Sequence, residues 1–178
     1  MVNVKRKQRI RWEYIGHLRF LTFSCYQGLH LFDVASRCQI FVDSLGKTRC
    51  ATEFKLVGWV IMPNHVHLMI LPKLPEYPVA KVLHRLKWNV SRRILNTIKS
   101  QESKERELLT DPQGRLHFWQ DGGGYDRNIV SQKVYEDTMD YIHFNPVKAE
   151  LVQSPIDWIW SSARWYENKK SVIEIDRI

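Results

Sequence analysis

The sequence has few cysteines, and none of them stands in a pattern typical of a metal site or a disulfide framework. Cys25, Cys38 and Cys50 are odd in number and include no C-x-x-C pair. We therefore expect neither a cross-linked secreted domain nor a cysteine zinc site. A reducing cytoplasm is the expected location.

Long apolar runs and an excess of acidic residues are also lacking. No apolar run reaches the roughly 20 residues that a membrane-spanning helix needs, and the basic first segment leads into no apolar signal sequence. We expect neither export nor contact with a membrane. Lys and Arg total 27 against 19 acidic residues, a formal charge of +8. This balance fits a nucleic-acid partner, and it fits a merely soluble basic protein equally well.

The length and the absence of internal boundaries predict a single domain. A chain of 178 residues can bury a core without cross-links, and this one has no repeat, low-complexity tract or linker. We predict a basic arm over residues 1–18, a core over about 19–150 and a C-terminal packing segment over 151–178. Trp158, Trp160, Arg164 and Trp165 are expected to pack that last segment onto the domain.

The first half of the chain predicts a strand, a helix and a hairpin. The aromatic and β-branched run "LRFLTFSCYQG" predicts a strand over about 19–26. Helical spacing of apolar residues after Asp33 predicts a helix that Gly46 ends. Pro63 and Asn64 are expected to form a tight turn between the strands "FKLVGWVIM" and "VHLMILP".

The second half predicts two more helices and a fourth strand. A helix starts at Val79, residues 96–114 form a helix end and an exposed loop, and "RLHFWQ" forms a strand. Ser131 caps a final helix that Pro146 helps to terminate. The first six elements follow the β-α-β-β-α-β order of the α+β ferredoxin-like fold, an antiparallel sheet with helices packed on one face. The final helix would lie beside this sheet.

The hairpin carries a pair of histidines that could hold a metal ion. Successive side chains of a strand point to opposite faces, so His65 and His67 of "MPNHVHLMI" would share one face. Two imidazoles would then converge on one point. A chance pair on a half-buried strand is the alternative, and a lone H-x-H is weak evidence for a metal site.

The final helix could complete such a site. Tyr141 and Asn145 are four residues apart and therefore project from one helix face. If that face packs over the histidine strand, a phenol, an amide and two imidazoles meet in one cleft. The alternative is that Tyr141 is a core aromatic and Asn145 only a residue at the helix end.

One face of the second helix could bind nucleic acid. Lys81, Arg85, Trp88 and Arg92 recur at helical spacing on a face other than the apolar stripe. A solvated charged face is the common explanation of such a row. The tryptophan among the basic residues favours DNA, since base stacking and phosphate contacts act together on single strands.

Four stretches resemble a known family. "MPNHVHLMI" resembles the His-hydrophobic-His motif of the HUH single-strand nucleases. "YIHFNPVKAELV" and "WSSARWY" resemble the C-terminal signature of the REP-associated tyrosine transposases, within the HUH single-tyrosine transposase superfamily. "FWQDGGGYDRNI" is similar to that family's segment before the last helix. Phe144, Lys148 and Glu150 depart from residues that are frequent in the family, and none of them is a proposed catalytic position.

The resemblance implies a tyrosine transposase or endonuclease that nicks and rejoins single-stranded or hairpin DNA. Tyr141 matches the nucleophile, which forms a 5′-phosphotyrosine, and His65, His67 and Asn145 match the metal ligands. Two imidazoles and an amide leave coordination positions open, which suits Mg²⁺ or Mn²⁺ better than a structural zinc. The expected assembly is a monomer or a homodimer.

Several alternatives stay open at this point. Tyr125 is a rival nucleophile, because the glycine-rich stretch before it would let its side chain move. Asp126 and Arg127 suggest instead that this stretch is a phosphate-facing loop, in which Tyr125 and Arg127 bind DNA. A non-catalytic nucleic-acid-binding domain fits the charge and the element order equally well. A small metal hydrolase would need further ligands. The remaining candidates His84, His117 and His143 are interpreted as surface or packing residues.

Overall fold

The protein is built around a four-stranded antiparallel sheet. The computed structural model describes residues 16–99 and 102–178, so residues 1–15 of the predicted basic arm lie outside the described residues. The strand order across the sheet is β2-β3-β1-β4. The strands are β1 (Leu18–Ser24), β2 (Lys55–Met62), β3 (His65–Leu71) and β4 (Tyr125–Ile129).

Helices cover both faces of this sheet. The helices are α1 (Ala35–Thr52), α2 (Val79–Lys99), α3 (Lys104–Leu109), α4 (Gln132–Lys148) and α5 (Ala163–Tyr166). The pair α1 and α2 pack side by side on one face, and α4 packs against β2 on the other. The order and pairing confirm the predicted α+β ferredoxin-like fold. They also place the final helix across the sheet from the other two.

Strand alternation divides the interior into two cores. On β1, Leu21 and Phe23 point into the larger core beneath α1 and α2, whereas Phe20 points into the smaller core beneath α4. On β3, Val66 and Leu68 join the larger core. The histidines of β3 therefore lie on the face that α4 covers.

The hairpin forms as predicted. Pro63 and Asn64 are the two residues between β2 and β3, and Met62 pairs directly with His65 at the start of the return strand. The pairing continues to Lys55 opposite Leu71, with one irregularity between Leu56 and Gly58. A two-residue connection fixes the register of a hairpin, and so fixes the face that each β3 side chain occupies.

The predicted end of the first helix at Gly46 is wrong. Helix α1 runs on to Thr52 and ends where Glu53 adopts a left-handed conformation with φ of 50°. An interior glycine costs a helix only about 1 kcal/mol. Burial of Thr48 and Thr52 beyond it holds the last turns in place.

The predicted strand "RLHFWQ" is also wrong, because the fourth strand begins at Tyr125. The stretch makes only isolated bridges, Thr110 with Leu116 and Cys25 with Trp119. Phe118 and Trp119 are buried in the larger core. Its aromatic composition therefore reflects burial of an irregular segment, which composition alone does not distinguish from a strand.

Two other predicted boundaries shift. Helix α4 continues through Pro146 to Lys148, with the Ala149 N–H donating to the carbonyl of Asn145. The predicted loop of residues 96–114 is partly helical, since α2 reaches Lys99 and α3 follows with Ser103 as its cap. Local turn signals place the ends of helices only within a few residues.

The C-terminal segment packs along the outer edge of β2. The Ile61 N–H donates to the carbonyl of Trp160, and the Ser162 N–H donates to the carbonyl of Trp59. The Trp158 indole N–H donates to the carbonyl of Ile61. Further along, the Asp176 N–H donates to the carbonyl of Leu56. The edge strand thus has backbone partners along most of its length.

Across residues 16–99 and 102–178, none of the helices combines the length and the apolar character needed to cross a bilayer.

Candidate active site

Two imidazoles meet at the start of β3. His65 and His67 project from the face that α4 covers, and their Nε2 atoms lie 3.0 Å apart. His67 is 2% exposed, while His65 is half-buried. The strand alternation that the sequence predicted therefore brings both rings to one point.

Each imidazole is held from behind by a polar side chain. The Nδ1 atom of His67 lies 2.7 Å from the Thr22 hydroxyl, across the β1–β3 pairing. The Nδ1 atom of His65 lies 2.6 Å from the side-chain amide oxygen, Oδ1, of Asn64. An amide oxygen only accepts hydrogen bonds, so it holds the proton of His65 on Nδ1 and leaves Nε2 with a free lone pair.

Burial keeps both histidines neutral. It lowers the pKa of His65 below its usual value. It lowers the pKa of His67 further, to about 3, and the neighbouring charge of a protonated His65 adds to this effect. Both rings are therefore uncharged at neutral pH, and the neutral imidazole is the state that can bind a metal ion.

Helix α4 brings Tyr141 and Asn145 over the histidines. The Asn145 amide N–H donates to His67 Nε2 at 3.2 Å, and the ring centroids of Tyr141 and His67 are 5.1 Å apart. Gly58 permits this close approach. A Cβ atom there would lie 2.7 Å from the sulfur of Met139 on α4.

The Phe20 ring contacts His67 and two tyrosines. The ring stacks on His67 at 5.5 Å, and the edge of Tyr141 meets it at 6.0 Å. On the other side the edge of Tyr125 meets it at 6.1 Å. Both tyrosines are partly exposed, Tyr141 by 41% and Tyr125 by 43%. Both predicted nucleophile candidates therefore reach solvent beside the histidines.

The donor set fits a metal ion with open positions. Neighbouring ligands of an octahedral ion at about 2.1 Å lie about 3 Å apart, which matches the Nε2 separation of His65 and His67. Rotation of the Asn145 amide would present its oxygen in place of its nitrogen. Among the residues that the structure describes, no three histidine, cysteine or acidic side chains gather to hold an ion.

The structure corrects the predicted loop around Tyr125 and Arg127, because both residues lie on β4. Tyr125 pairs with Thr22, and Arg127 pairs with Phe20. Their side chains point to the active-site face, where the Arg127 guanidinium lies 5.9 Å from the Phe20 ring centroid and donates to the Thr138 hydroxyl. Asp126 points the other way, into a buried ion pair with Arg19.

The predicted basic row on α2 is exposed. Lys81, Arg85, Trp88 and Arg92 all face solvent, and Trp88 is 52% exposed. The Arg92 guanidinium lies 5.0 Å from the Trp88 ring centroid. This row lies on the α1–α2 side of the sheet, whereas the histidines lie on the side that α4 covers.

The three histidines interpreted as surface or packing residues, His84, His117 and His143, occupy such positions. His84 is exposed. His117 lies 2.9 Å from an Asp111 carboxylate oxygen, and His143 lies 2.9 Å from the Ser162 hydroxyl. Burial lowers the pKa of His143 to about 4.

Sequence reasoning missed Phe20, Thr22 and Asn64. Thr22 and Phe20 come from β1, whose register with β3 is a tertiary property. Asn64 stands directly before the pair, and the sequence reveals it only as a turn residue. The alternation of β1 could have placed Phe20 and Thr22 on one face, but not opposite His67.

Comparisons with known proteins agree with this architecture. The family described as Transposase IS200 like matches residues 33–145, more than half of the chain. A REP-associated tyrosine transposase of Haemophilus influenzae is 24% identical over 110 residues, which are 61% of this chain. The match spans 58% of that relative's length.

A solved structure shares the fold over nearly the whole chain. It is a REP-associated tyrosine transposase bound to a REP hairpin, and it is 19% identical with a TM-score of 0.71. The alignment covers 97% of this chain and 99% of that one. These similarities confirm the resemblance found in the sequence motifs. The chain belongs to the IS200-like transposase family.

Proposed function

We propose that this protein is a metal-dependent transposase or endonuclease that nicks and rejoins single-stranded or hairpin DNA. One observation carries the proposal: in a chain of this family, Tyr141 and Asn145 lie over the paired Nε2 atoms of His65 and His67.

Tyr141 is the proposed nucleophile. Its ring lies against His67, its side chain reaches solvent, and the Lys148 ammonium lies 5.8 Å from its ring centroid. A nearby cation favours the approach of a DNA phosphate. Tyr125 has similar exposure, and its ring lies 6.1 Å from Phe20, which stacks on His67. The position of Tyr141 against His67 favours it over Tyr125.

The nick is a transfer of an ester bond. The Tyr141 oxygen bonds to phosphorus, and the bond from phosphorus to the 3′ oxygen breaks. The proton that the phenol loses balances the proton that the departing 3′ hydroxyl gains. The 5′-phosphotyrosine conserves the energy of the broken bond, so the same 3′ hydroxyl can attack it and rejoin the strand.

His65, His67 and Asn145 would hold the divalent ion, Mg²⁺ or Mn²⁺. Such an ion neutralises charge on a scissile phosphate and orients it. Thr22 and Asn64 contribute by fixing the two imidazoles, as partners behind metal-binding histidines commonly do. Phe20 packs beneath His67 and limits the movement of its ring.

DNA is the proposed partner. The net charge of +8 and the exposed basic row of α2 supply attraction for phosphates. Tyr125 and Arg127 extend the DNA-binding surface beside the site. The solved relative is bound to a REP hairpin, which makes hairpin DNA the first substrate to test.

A labelled-strand assay tests the proposal. Hairpin DNA with an unpaired extension is incubated with Mn²⁺ and separated under denaturing conditions. A 5′-phosphotyrosine keeps the 3′-labelled part of the strand on the protein and releases the 5′-labelled part with a free 3′ hydroxyl. Binding without an adduct under Mg²⁺ or Mn²⁺ would contradict the enzyme and favour a binding domain.

A further inference from the structure

A cavity of about 390 Å³ lies between α2 and the turn that leads into β4. This volume falls within the range of small-molecule sites. The side of the cavity formed by α2 is largely apolar, and the side formed by the turn consists of main-chain atoms. The lining includes Leu83, His84, Lys87, Trp88, Gly122 and Gly123.

Trp88 offers an aromatic surface at this cavity. The indole is 52% exposed. It also lines a second cavity of about 370 Å³, together with Tyr77 and Lys81. An exposed tryptophan among cations is a stacking surface for bases, because every base has a π face. The neighbouring Arg85 and Arg92 supply charge for phosphates on either side.

Lys87 supplies a polar group at the same place. Its ammonium donates to the carbonyl oxygens of Gln120 and Gly122, at 3.4 Å and 3.2 Å. These contacts fix the turn against α2. An ammonium has three donors, so one is left for an acceptor such as a keto oxygen of a base.

The cavity lies close to the end of the sheet that carries the histidines. Gly122 is three residues before Tyr125, whose partner Thr22 is also the partner of His67. Three extended residues span at most about 11 Å. Gln120 donates to the carbonyl of Ser24, which pairs with His65. A strand leaving the active site past Tyr125 would therefore reach the cavity within a few nucleotides.

We propose that this cavity binds one unpaired base of the DNA strand close to the scissile phosphate, with Trp88 stacked on the base. The inference rests on the proposed function and adds a base-binding subsite on the opposite side of Tyr125 from the histidines. The surrounding cations hold the backbone, while the cavity distinguishes an unpaired nucleotide from a paired one.

The experiment compares strands that differ only in their bases, without divalent metal. Affinities are measured for an oligothymidine and for an abasic strand of equal length and charge. Trp88→Ala should weaken binding of the oligothymidine on the order of tenfold and leave binding of the abasic strand unchanged. Trp88→Phe should restore most of the loss. Leu108→Ala, which alters a side chain that is 48% exposed on α3, is the matched control.

Photocrosslinking provides a second measurement. Oligonucleotides with 5-iodouracil at successive positions should give a crosslinked peptide containing Trp88. If Trp88→Ala weakens binding of the oligothymidine and the abasic strand equally, or weakens neither, the inference is overturned. Crosslinks confined to peptides without Trp88 would also overturn it. Neither measurement requires cleavage, so failure of this inference is distinct from failure of the nicking assay.

Discussion

The Nε2 atoms of His65 and His67 face each other at 3.0 Å while their Nδ1 atoms are held by Asn64 and Thr22. Two basic nitrogens meet, and no acidic side chain among residues 16–99 and 102–178 pairs with either of them. A cation coordinated by both nitrogens, with the Asn145 amide rotated so that its N–H no longer faces His67 Nε2, would accept both lone pairs. This relationship is the physical reason for expecting a metal ion here.

Substitution of either histidine should separate cleavage from binding. His65→Ala or His67→Ala should reduce nicking at least about a hundredfold, because an ion held by one imidazole and one amide is weakly bound. Affinity for single-stranded DNA should change little, as measured by fluorescence anisotropy. His30→Ala, at an exposed histidine, is the control. Near-normal nicking in either site variant would refute the metal assignment.

The two tyrosines beside Phe20 form a matched pair. Each meets the Phe20 ring edge-on, and their exposures are nearly equal. Tyr141→Phe should abolish the covalent protein–DNA adduct and Tyr125→Phe should retain it, since only one supplies the attacking oxygen. Both variants keep the ring and should fold and bind DNA. An adduct mapped to a peptide containing Tyr125 would reverse the assignment.

Asn145→Ala should have an intermediate effect. The nucleophile and both imidazoles remain, so nicking should fall about 10- to 100-fold. The loss should be relieved by raising the Mn²⁺ concentration, because the variant weakens the ion's site and leaves the reacting group intact. A titration of rate against metal concentration checks this. An unchanged midpoint would show that Asn145 does not contribute to metal binding.

Charge reversal on α2 should alter the salt dependence of binding. Arg85→Glu with Arg92→Glu should weaken DNA binding and flatten the plot of log affinity against log salt, since each lost phosphate contact removes about 0.7 from the slope for a single strand. Lys133→Glu reverses an exposed charge at the start of α4 and serves as the control. A slope equal to that of the wild type would make the row a solvated surface only.

The reactivity of the three thiols should show that Cys25 and Cys38 are buried in the folded protein. Burial raises the pKa of Cys25 and of Cys38 to about 12, so both thiols stay protonated in the folded protein at pH 8. Alkylation requires the thiolate and access to it. Iodoacetamide should therefore add one group to the native protein, at the exposed Cys50, and three after unfolding in urea. More than one adduct on the folded chain by mass spectrometry would contradict the packing of α1 and β1.

The sequence could predict most of the site because its residues obey two short-range periodicities. His65 and His67 share a face by strand alternation, and Tyr141 and Asn145 share one by helix spacing. Neither rule states that the two faces meet. That meeting is a tertiary property of α4 packing on β2, where the absence of a side chain at Gly58 leaves room for Met139.

The errors in the fold have a common physical origin. "RLHFWQ" is rich in buried aromatics, and burial also occurs in irregular segments such as the one that carries Phe118 and Trp119. The stretch that forms β4 contains Asp126 and Arg127, which look like loop residues. The partner that makes Asp126 tolerable, Arg19, is more than a hundred residues away. No local pattern contains that information.

The C-terminal segment also limits how two copies of this chain could associate. The outer edge of β2 gives its backbone groups to Trp160, Ser162 and Asp176, and a neighbouring molecule would have to displace them to add a strand there. Open edges are the usual route to continuous intermolecular sheets. A second copy of this chain could therefore add a strand at the β2 edge only after residues 158–176 had come away from it.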